Sequence, residues 1–271
     1  MNQEYVHGYE TQEAQRLWDQ ADTLARLLHG DTRFPPRSRV LEAGCGVGAQ
    51  TLTLARQSPE ARFVSIDLSA QSLASAEAAV RSAGVKNVEF QRTDIFALPF
   101  APASFDHVFV CFVLEHLRRP ADALVILREM LRPGGTITVI EGDHGSTLFH
   151  PEGADARAAI ECQVELQRRA QGNALIGRQL YPLLIDAGFS APRVSPRIAY
   201  ADASRPQWLE GFTRRTFIAM IEGVRERAIS EGLIAPQRFD AGLHQLRLTT
   251  KADGVFCYTF FKAVAVRPVD G

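Results

Sequence analysis

The sequence predicts an α/β fold built on a largely parallel sheet with helices on both faces. Segments of strand and helix character alternate from Arg39 to Asp143, and a glycine-rich turn, VLEAGCGVGAQTLTLA (Val40 to Ala55), joins the first strand to the first helix of that series. A third observation is the strongly apolar late segment FCYTFFKAVAV. Strands alternating with helices of this length form right-handed βαβ units, whose strands lie parallel in one sheet.

In chain order, ETQEAQRLWDQADTLARLLH places Leu17, Trp18, Ala21, Leu24, Ala25, Leu27 and Leu28 at helical spacing, and GDTRFPPRS breaks that helix. SRVLEAG then reads as a strand and AQTLTLARQS as its helix. ARFVSIDLS is a second strand, and SLASAEAAVRSAG is a helix stopped at Gly84. VEFQRTDI and FDHVFVCFVL are the third and fourth strands, PADALVILREMLRPGG is a helix, and TITVIEGD is the fifth strand. Beyond Asp143, PEGADARAAIECQVELQRRA and LIGRQLYPLLIDAGF are expected helices, and SAPRVSPRIAYAD is a strand despite its prolines. PQWLEGFTRRTFIAMIEGVRERAISEG is expected as one long helix, PQRFDAGLHQLRLTT as a shorter one, and GVFCYTFFKAVAV as the last strand. Helices inserted before the last two strands fall near the carboxyl ends of the sheet, where a lid belongs.

With 271 residues and 46% hydrophobic composition, the chain can bury a sizeable core. A net charge of -1, from 30 Lys+Arg against 31 Asp+Glu, provides no field that would favour nucleic acid or an anionic membrane. Cys45, Cys111, Cys162 and Cys257 show no metal-ligand spacing, and Cys45 and Cys111 sit in apolar stretches as buried thiols. The polar N-terminal stretch is no signal peptide, and no apolar run approaches the ~20 residues of a membrane span. A cytoplasmic location is therefore expected.

The glycine turn fits two nucleotide classes. Gly44, Gly46, Gly48 and Ala49 satisfy both a permissive dinucleotide fingerprint and a GxGxG pattern, whereas a P-loop is excluded because no Lys-Ser or Lys-Thr follows. Glu42 stands two residues ahead of Gly44, where an acid opposes a pyrophosphate and suits a ligand carrying an ammonium and a sulfonium. Asp67 ends the second strand, where a carboxylate accepts the ribose hydroxyls of either cofactor. Asp94 follows the third strand within reach of an adenine amino group, and Ile95 beside it can pack on the ring.

These segments resemble the class I S-adenosylmethionine-dependent methyltransferases. VLEAGCGVG is similar to that family's first motif, SIDLS to its acidic second-strand end, and TDIFALPF with SFDHVFV to its adenine loop and fourth strand. CFVLEHL is similar to its post-strand segment and LRPGGTITV to the turn into strand five. Over residues 39–143, and in this core only, the resemblance is close to the UbiE/COQ5-like subgroup. It implies a Rossmann-like, doubly wound seven-stranded sheet in the order 3-2-1-4-5-7-6 with strand seven antiparallel. It also implies S-adenosyl-L-methionine as cofactor, with Glu42, Gly44, Cys45, Gly46 and Gly48 around the methionine part. Asp67 would then meet the ribose, with Leu68 beside it also in the cofactor site, Asp94 and Ile95 the adenine, and Cys111 and Phe112 would contribute contacts at the end of strand four. Residues 1–36 would form an N-terminal helical arm or lid. Residues 37–271 would be the methyltransferase domain, with helical inserts at about 146–176 and 204–250 covering the acceptor site.

Methyl transfer is an in-line displacement, to which a base contributes when the acceptor atom must lose a proton. The candidate bases are His144, Glu141 and His116, near strand ends five and four. Candidate acceptor contacts are Glu115, Asp143, Phe149, Tyr181 and, on the polar arm ahead of the first helix, His7 and Tyr9. Phe212, Phe217, Phe239, Trp208 and Tyr258 can wall an apolar pocket or belong to the core. No compact metal-binding motif is present, and no Asn-Pro-Pro-Tyr or Pro-Cys motif of a nucleic-acid methyltransferase occurs. A small organic molecule, methylated on O, N or C, is the expected acceptor, a homodimer is compatible, and the elaborate lid suggests secondary metabolism. The rival readings are an NAD(P)-dependent oxidoreductase, which lacks a Tyr-x-x-x-Lys hydride-site motif here, and a cofactor-binding regulatory protein without turnover.

Overall fold

A computed structural model describes residues 11–269. The strands are β1 (Arg39–Ala43), β2 (Arg62–Asp67), β3 (Val88–Arg92), β4 (Phe105–Cys111), β5 (Leu131–His150), β6 (Ser190–Ala201) and β7 (Val255–Val266). They form one seven-stranded sheet in the order β3-β2-β1-β4-β5-β7-β6, with β7 antiparallel to both its neighbours. The first five pair in parallel, which requires a crossover between consecutive strands. The crossovers include helices α2 (Ala49–Gln57), α3 (Ala70–Ser82) and α4 (Pro120–Met130). Strands buried on both faces read as apolar runs, and Val40, Leu41, Ile66, Val108, Phe109 and Val110 are accordingly buried.

The helix α1 (Thr11–His29) precedes the sheet, and α5 (Ala154–Arg169) and α6 (Leu180–Asp186) lie between β5 and β6. Between β6 and β7 the chain runs through α7 (Pro206–Trp208), a π-helical stretch Leu209–Ile218, α8 (Ala219–Gly223), α9 (Arg225–Ser230) and α10 (Pro236–Leu248). Two large apolar clusters occupy opposite faces of the sheet. One joins Leu24, Leu28 and Phe109 to Phe212, Phe217, Phe256 and Phe260, and the other joins Leu41, Val108 and Val110 to α4 and α6.

Three elements depart from the sequence expectation, the first being the helix expected over 120–135, which ends at Met130 and gives way to β5 at Leu131. The segment 206–232, expected as one helix, is broken into four, and its widest turn, the π-helix, lets Thr216 Oγ1 donate to Gly211 O at 2.8 Å. A Cβ at Gly211 would collide with Thr23 of α1, so this glycine brings the π-helix close against α1. Strand β5 does not stop at Asp143 but resumes pairing with β7 at Leu148–His150, past residue 146 where helical cover was expected to begin. Between those ladders, residues 144–147 face only Tyr258, because Asp143 pairs with Thr259 and Leu148 with Cys257. This is a wide bulge, and bulges re-aim side chains beside binding sites. Its backbone is satisfied locally: Asp143 Oδ1 accepts from Gly145 N, and Ser146 Oγ accepts from Thr259 N at 3.0 Å.

Candidate functional site

A cavity of 510 Å³ opens at the carboxyl ends of β1, β2, β4 and β5, roofed by Arg16, Leu17 and Gln20 of α1 and by Phe212, Thr216 and Phe217 of the π-helix. Crevices at this place in a doubly wound sheet are the usual ligand sites, and this volume falls within the roughly 300–1,000 Å³ of small-molecule pockets.

At one end the glycine turn wraps the end of β2. Gly44 N and Cys45 N both donate to Ile66 O, at 2.8 and 2.9 Å, and Gly46 N donates to Asp67 Oδ2 at 2.8 Å. The three glycines take φ of +78°, +54° and +81°, a region that L side chains rarely adopt. Gly44, Cys45 and Gly46 line the cavity, but Gly48 does not. A Cβ on Gly48 would stand 2.8 Å from the Cβ of Ala76, so its smallness serves the packing of α2 on α3 rather than contact with a ligand. Asp67 lines the cavity, and its second oxygen accepts from Ser69 N at 2.9 Å. Each carboxylate oxygen is thus oriented by one backbone donor and keeps a lone pair for a further one.

Glu42 is fully buried at the cavity wall, where its Oε2 accepts from Thr51 Oγ1 at 2.7 Å and Ser65 Oγ at 2.6 Å. Burial pushes its carboxyl up to about 7, outweighing the two hydroxyl donors. These two hydroxyls escaped sequence reasoning, since a threonine in a helix and a serine in a buried strand carry no local signal. Leu68, Asp94, Ile95, Cys111 and Phe112 complete this end. Asp94 Oδ1 caps the following turn by accepting from Phe96 N at 2.9 Å. Burial pushes the Cys111 thiol well up, and Phe112 sits at φ +57° with its ring 5.5 Å from Phe260.

The other end is aromatic with a polar centre. The β5 bulge turns His144 into the cavity wall opposite Tyr258, whose hydroxyl lies 3.4 Å from His144 Nδ1. That hydroxyl occupies the space a side chain on Gly142 would take. His144 Nε2 is 3.9 Å from Glu115 Oε2, and Gln167 of α5 donates to the same Glu115 oxygen at 3.2 Å. Burial lowers the His144 pKa against the opposing pull of Glu115 and Asp143, which keeps the ring neutral. Burial likewise pushes the Tyr258 phenol well above its usual value. His116 lines the cavity 3.6 Å from Glu115.

Several expected site residues lie elsewhere. Glu141, expected as a base, does not line the cavity. Its Oε1 accepts from Val113 N and Leu114 N at 3.0 and 2.7 Å and so holds the turn after β4, while its Oε2 is buried without a partner among the described residues. Strand alternation sends this side chain away from Gly142, which faces the cavity. Asp143 is tied to Arg178 by two bonds of 2.6 and 2.8 Å and also lies outside the cavity. Phe149 is in the core beneath Arg157, and Tyr181 is exposed on α6; neither reaches the cavity. His7 and Tyr9 lie outside the described residues. Among the described residues no group of His, Cys, Asp and Glu is arranged to hold a metal ion, and no helix is long and apolar enough to cross a membrane.

Residues 40–135 match the family model of a methyltransferase domain. An uncharacterized 37.1 kDa transposon protein of Streptomyces fradiae is 34% identical over 202 residues, which cover 73% of this chain and 54% of that protein. An uncharacterized methyltransferase of Schizosaccharomyces pombe is 29% identical over 198 residues, 70% of this chain and 69% of that one. The chain thus spans about half the length of the first of these relatives. Among solved structures, phosphoethanolamine N-methyltransferase 2 of Haemonchus contortus, in complex with phosphomonomethylethanolamine and S-adenosylhomocysteine, superposes with a TM-score of 0.58 at 19% identity. The match covers 92% of this chain and 52% of that one.

Proposed function

We infer that this chain, a class I S-adenosylmethionine-dependent methyltransferase in its domain and fold, transfers a methyl group from S-adenosylmethionine to a small organic acceptor. The observation that carries this reading is a single cavity with Glu42, Asp67 and Asp94 at one end and Glu115, His144 and Tyr258 at the other.

The donor set suits this cofactor. A buried acid beside the glycine turn favours an ammonium and opposes a pyrophosphate, which argues against the oxidoreductase reading. Glu42, Gly44, Cys45 and Gly46 would meet the methionine part, Asp67 and Leu68 the ribose, and Asp94 and Ile95 the adenine. S-adenosylmethionine supplies an electrophilic methyl group on a sulfonium, which leaves as the sulfide when the acceptor atom bonds the methyl carbon. The residues around the acceptor then have two tasks. Phe112, Phe212, Phe217 and Phe260 exclude water and hold an apolar body in line, and alignment of this kind is worth roughly 7–11 kcal/mol of barrier. His144, held neutral by burial, receives the proton that the acceptor atom sheds, with Glu115 steadying the resulting imidazolium. His116 stands close enough to share that task. The four free thiols support a reducing, cytoplasmic setting, and the helices over the cavity support an acceptor from secondary metabolism.

Calorimetric titration tests the cofactor assignment. S-adenosylmethionine and S-adenosylhomocysteine should bind and NAD should not; tight NAD binding with no response to the other two would overturn the reading. Turnover of radiolabelled methyl donor on a panel of phenols, amines and activated carbon acids then identifies the acceptor atom.

A further inference from the structure

A second hollow lies at the opposite end of the sheet from the cofactor cavity, at the amino ends of β4 and β5 and on the neighbouring parts of β7 and β6. Its volume is 330 Å³. Here the inward-facing positions read Thr136 and Thr138 on β5, Lys262 on β7 and Arg193, Ser195 and Arg197 on β6. A sheet face closed by a helix would carry Val, Ile or Leu at such positions. Four cations, Arg33, Arg193, Arg197 and Lys262, line the hollow against the single acid Asp31, in a protein whose net charge is -1.

The cations are directed at oxygen. Asp31 accepts from Lys262 Nζ at 2.6 Å and from Arg197 at 2.5 Å, so two positive groups from adjacent strands already converge on one carboxylate. Burial works against ionisation of that carboxylate, but the two bonds outweigh it and hold the group at about 2. Donor capacity exceeds this one acceptor. Arg197 Nε is buried with no partner, and Arg193 is exposed with no ion pair among the described residues. A buried guanidinium N–H without an acceptor leaves its desolvation uncompensated, and it belongs to a residue that lines the hollow.

We propose that this hollow is an anion-binding site for a multiply charged phosphate-type oxyanion, separate from the cofactor cavity. Arg193 and Arg197 are its charged donors, and Thr136, Thr138 and Ser195 lie around it. Guanidinium groups match the geometry of phosphate oxygens, and a multiply charged oxyanion gains more from each added cation than a monovalent one does. No residue of the site takes part in methyl transfer, so its failure would leave the enzymatic reading intact.

Titration calorimetry of the full chain with sodium pyrophosphate, at fixed ionic strength set by chloride and with S-adenosylhomocysteine saturating, tests the site. Saturable binding is expected in the presence of S-adenosylhomocysteine, and Arg193→Gln should weaken it about tenfold, the loss of one charge-assisted bond. Arg193 is exposed, so the variant should keep its melting temperature and its S-adenosylhomocysteine affinity. Thr138→Val, a second variant on the hollow floor, should weaken pyrophosphate in the same direction. Absence of saturable binding, displacement of pyrophosphate by S-adenosylhomocysteine, or unchanged affinity in Arg193→Gln would each overturn the proposal.

Discussion

Glu42 shows how one side chain links pH to cofactor binding. Its carboxyl is held near 7 by burial in the unliganded protein, while the same group in an unfolded chain titrates near 4.5. Between those values the unfolded state has lost a proton that the native state keeps, so stability falls as pH rises through this window, by about 3 kcal/mol at most. A bound ammonium reverses the preference by stabilising the carboxylate. S-adenosylhomocysteine affinity should therefore climb between pH 5.5 and 7 and level off above, and Glu42→Gln should lower the plateau and flatten the slope. A pH-independent affinity in the wild type, measured calorimetrically, would remove Glu42 from the site. At the acceptor end, Tyr258→Phe keeps the ring packing against Phe212 and Phe260 and deletes only the hydroxyl beside His144. Turnover should fall by at least tenfold, with S-adenosylhomocysteine affinity unchanged; a wild-type rate would show that His144 acts without it. The sequence made Glu42, Asp67 and Asp94 readable because each abuts a strand end in a recognisable motif. Tyr258 was readable only as an aromatic on a strand, since its partner depends on a bulge 114 residues earlier.

At the scale of elements, strands β1 to β4, their helices and the body of β5 could be read from periodicity, whereas the continuation of β5 past Asp143 and the π-helix could not. Gly142 and Gly145 look like breakers in sequence. In the sheet Gly142 leaves room for the Tyr258 hydroxyl and Gly145 for Arg178, while β5 bulges opposite Tyr258 and continues to His150, a consequence of pairing with β7 that no local window contains. The end of α1 has a similar long-range anchor. Lys262 of β7 donates to Leu28 O, Asp31 Oδ1 and Thr32 Oγ1, tying the C-terminal turn of the helix to the sheet. Lys262→Met keeps the stem volume but leaves Leu28 O and Thr32 without their donor. The expected result is a loss of roughly 1–3 kcal/mol, less than for a fully buried pair because Asp31 is half exposed and keeps Arg197. Faster amide exchange should appear in residues 24–32 while the glycine turn stays protected. Uniform destabilisation of both regions would mean that the lysine supports the whole sheet rather than the helix.

On the scale of the whole molecule, α1 and the π-helix enter the fold some 190 residues apart, yet they form one cover. Gly211 brings the π-helix against Thr23, and residues of both elements line the same cavity. A roof made of two packed elements can open only if both leave the sheet together or if their own contact breaks. The close approach at Gly211 makes the first route cheaper, because separating the two would open the apolar cluster that Leu24 and Leu28 share with Phe212. Ligand in the cavity should then protect both segments in one cooperative step. Hydrogen exchange with and without saturating S-adenosylhomocysteine should show residues 16–24 and 209–218 gaining protection with the same opening free energy. Gly211→Ala, by forcing the two apart, should uncouple those protections and weaken ligand binding, while leaving exchange in β1 to β4 unchanged. Protection confined to the π-helix would assign the gate to that element alone and leave α1 as a fixed wall.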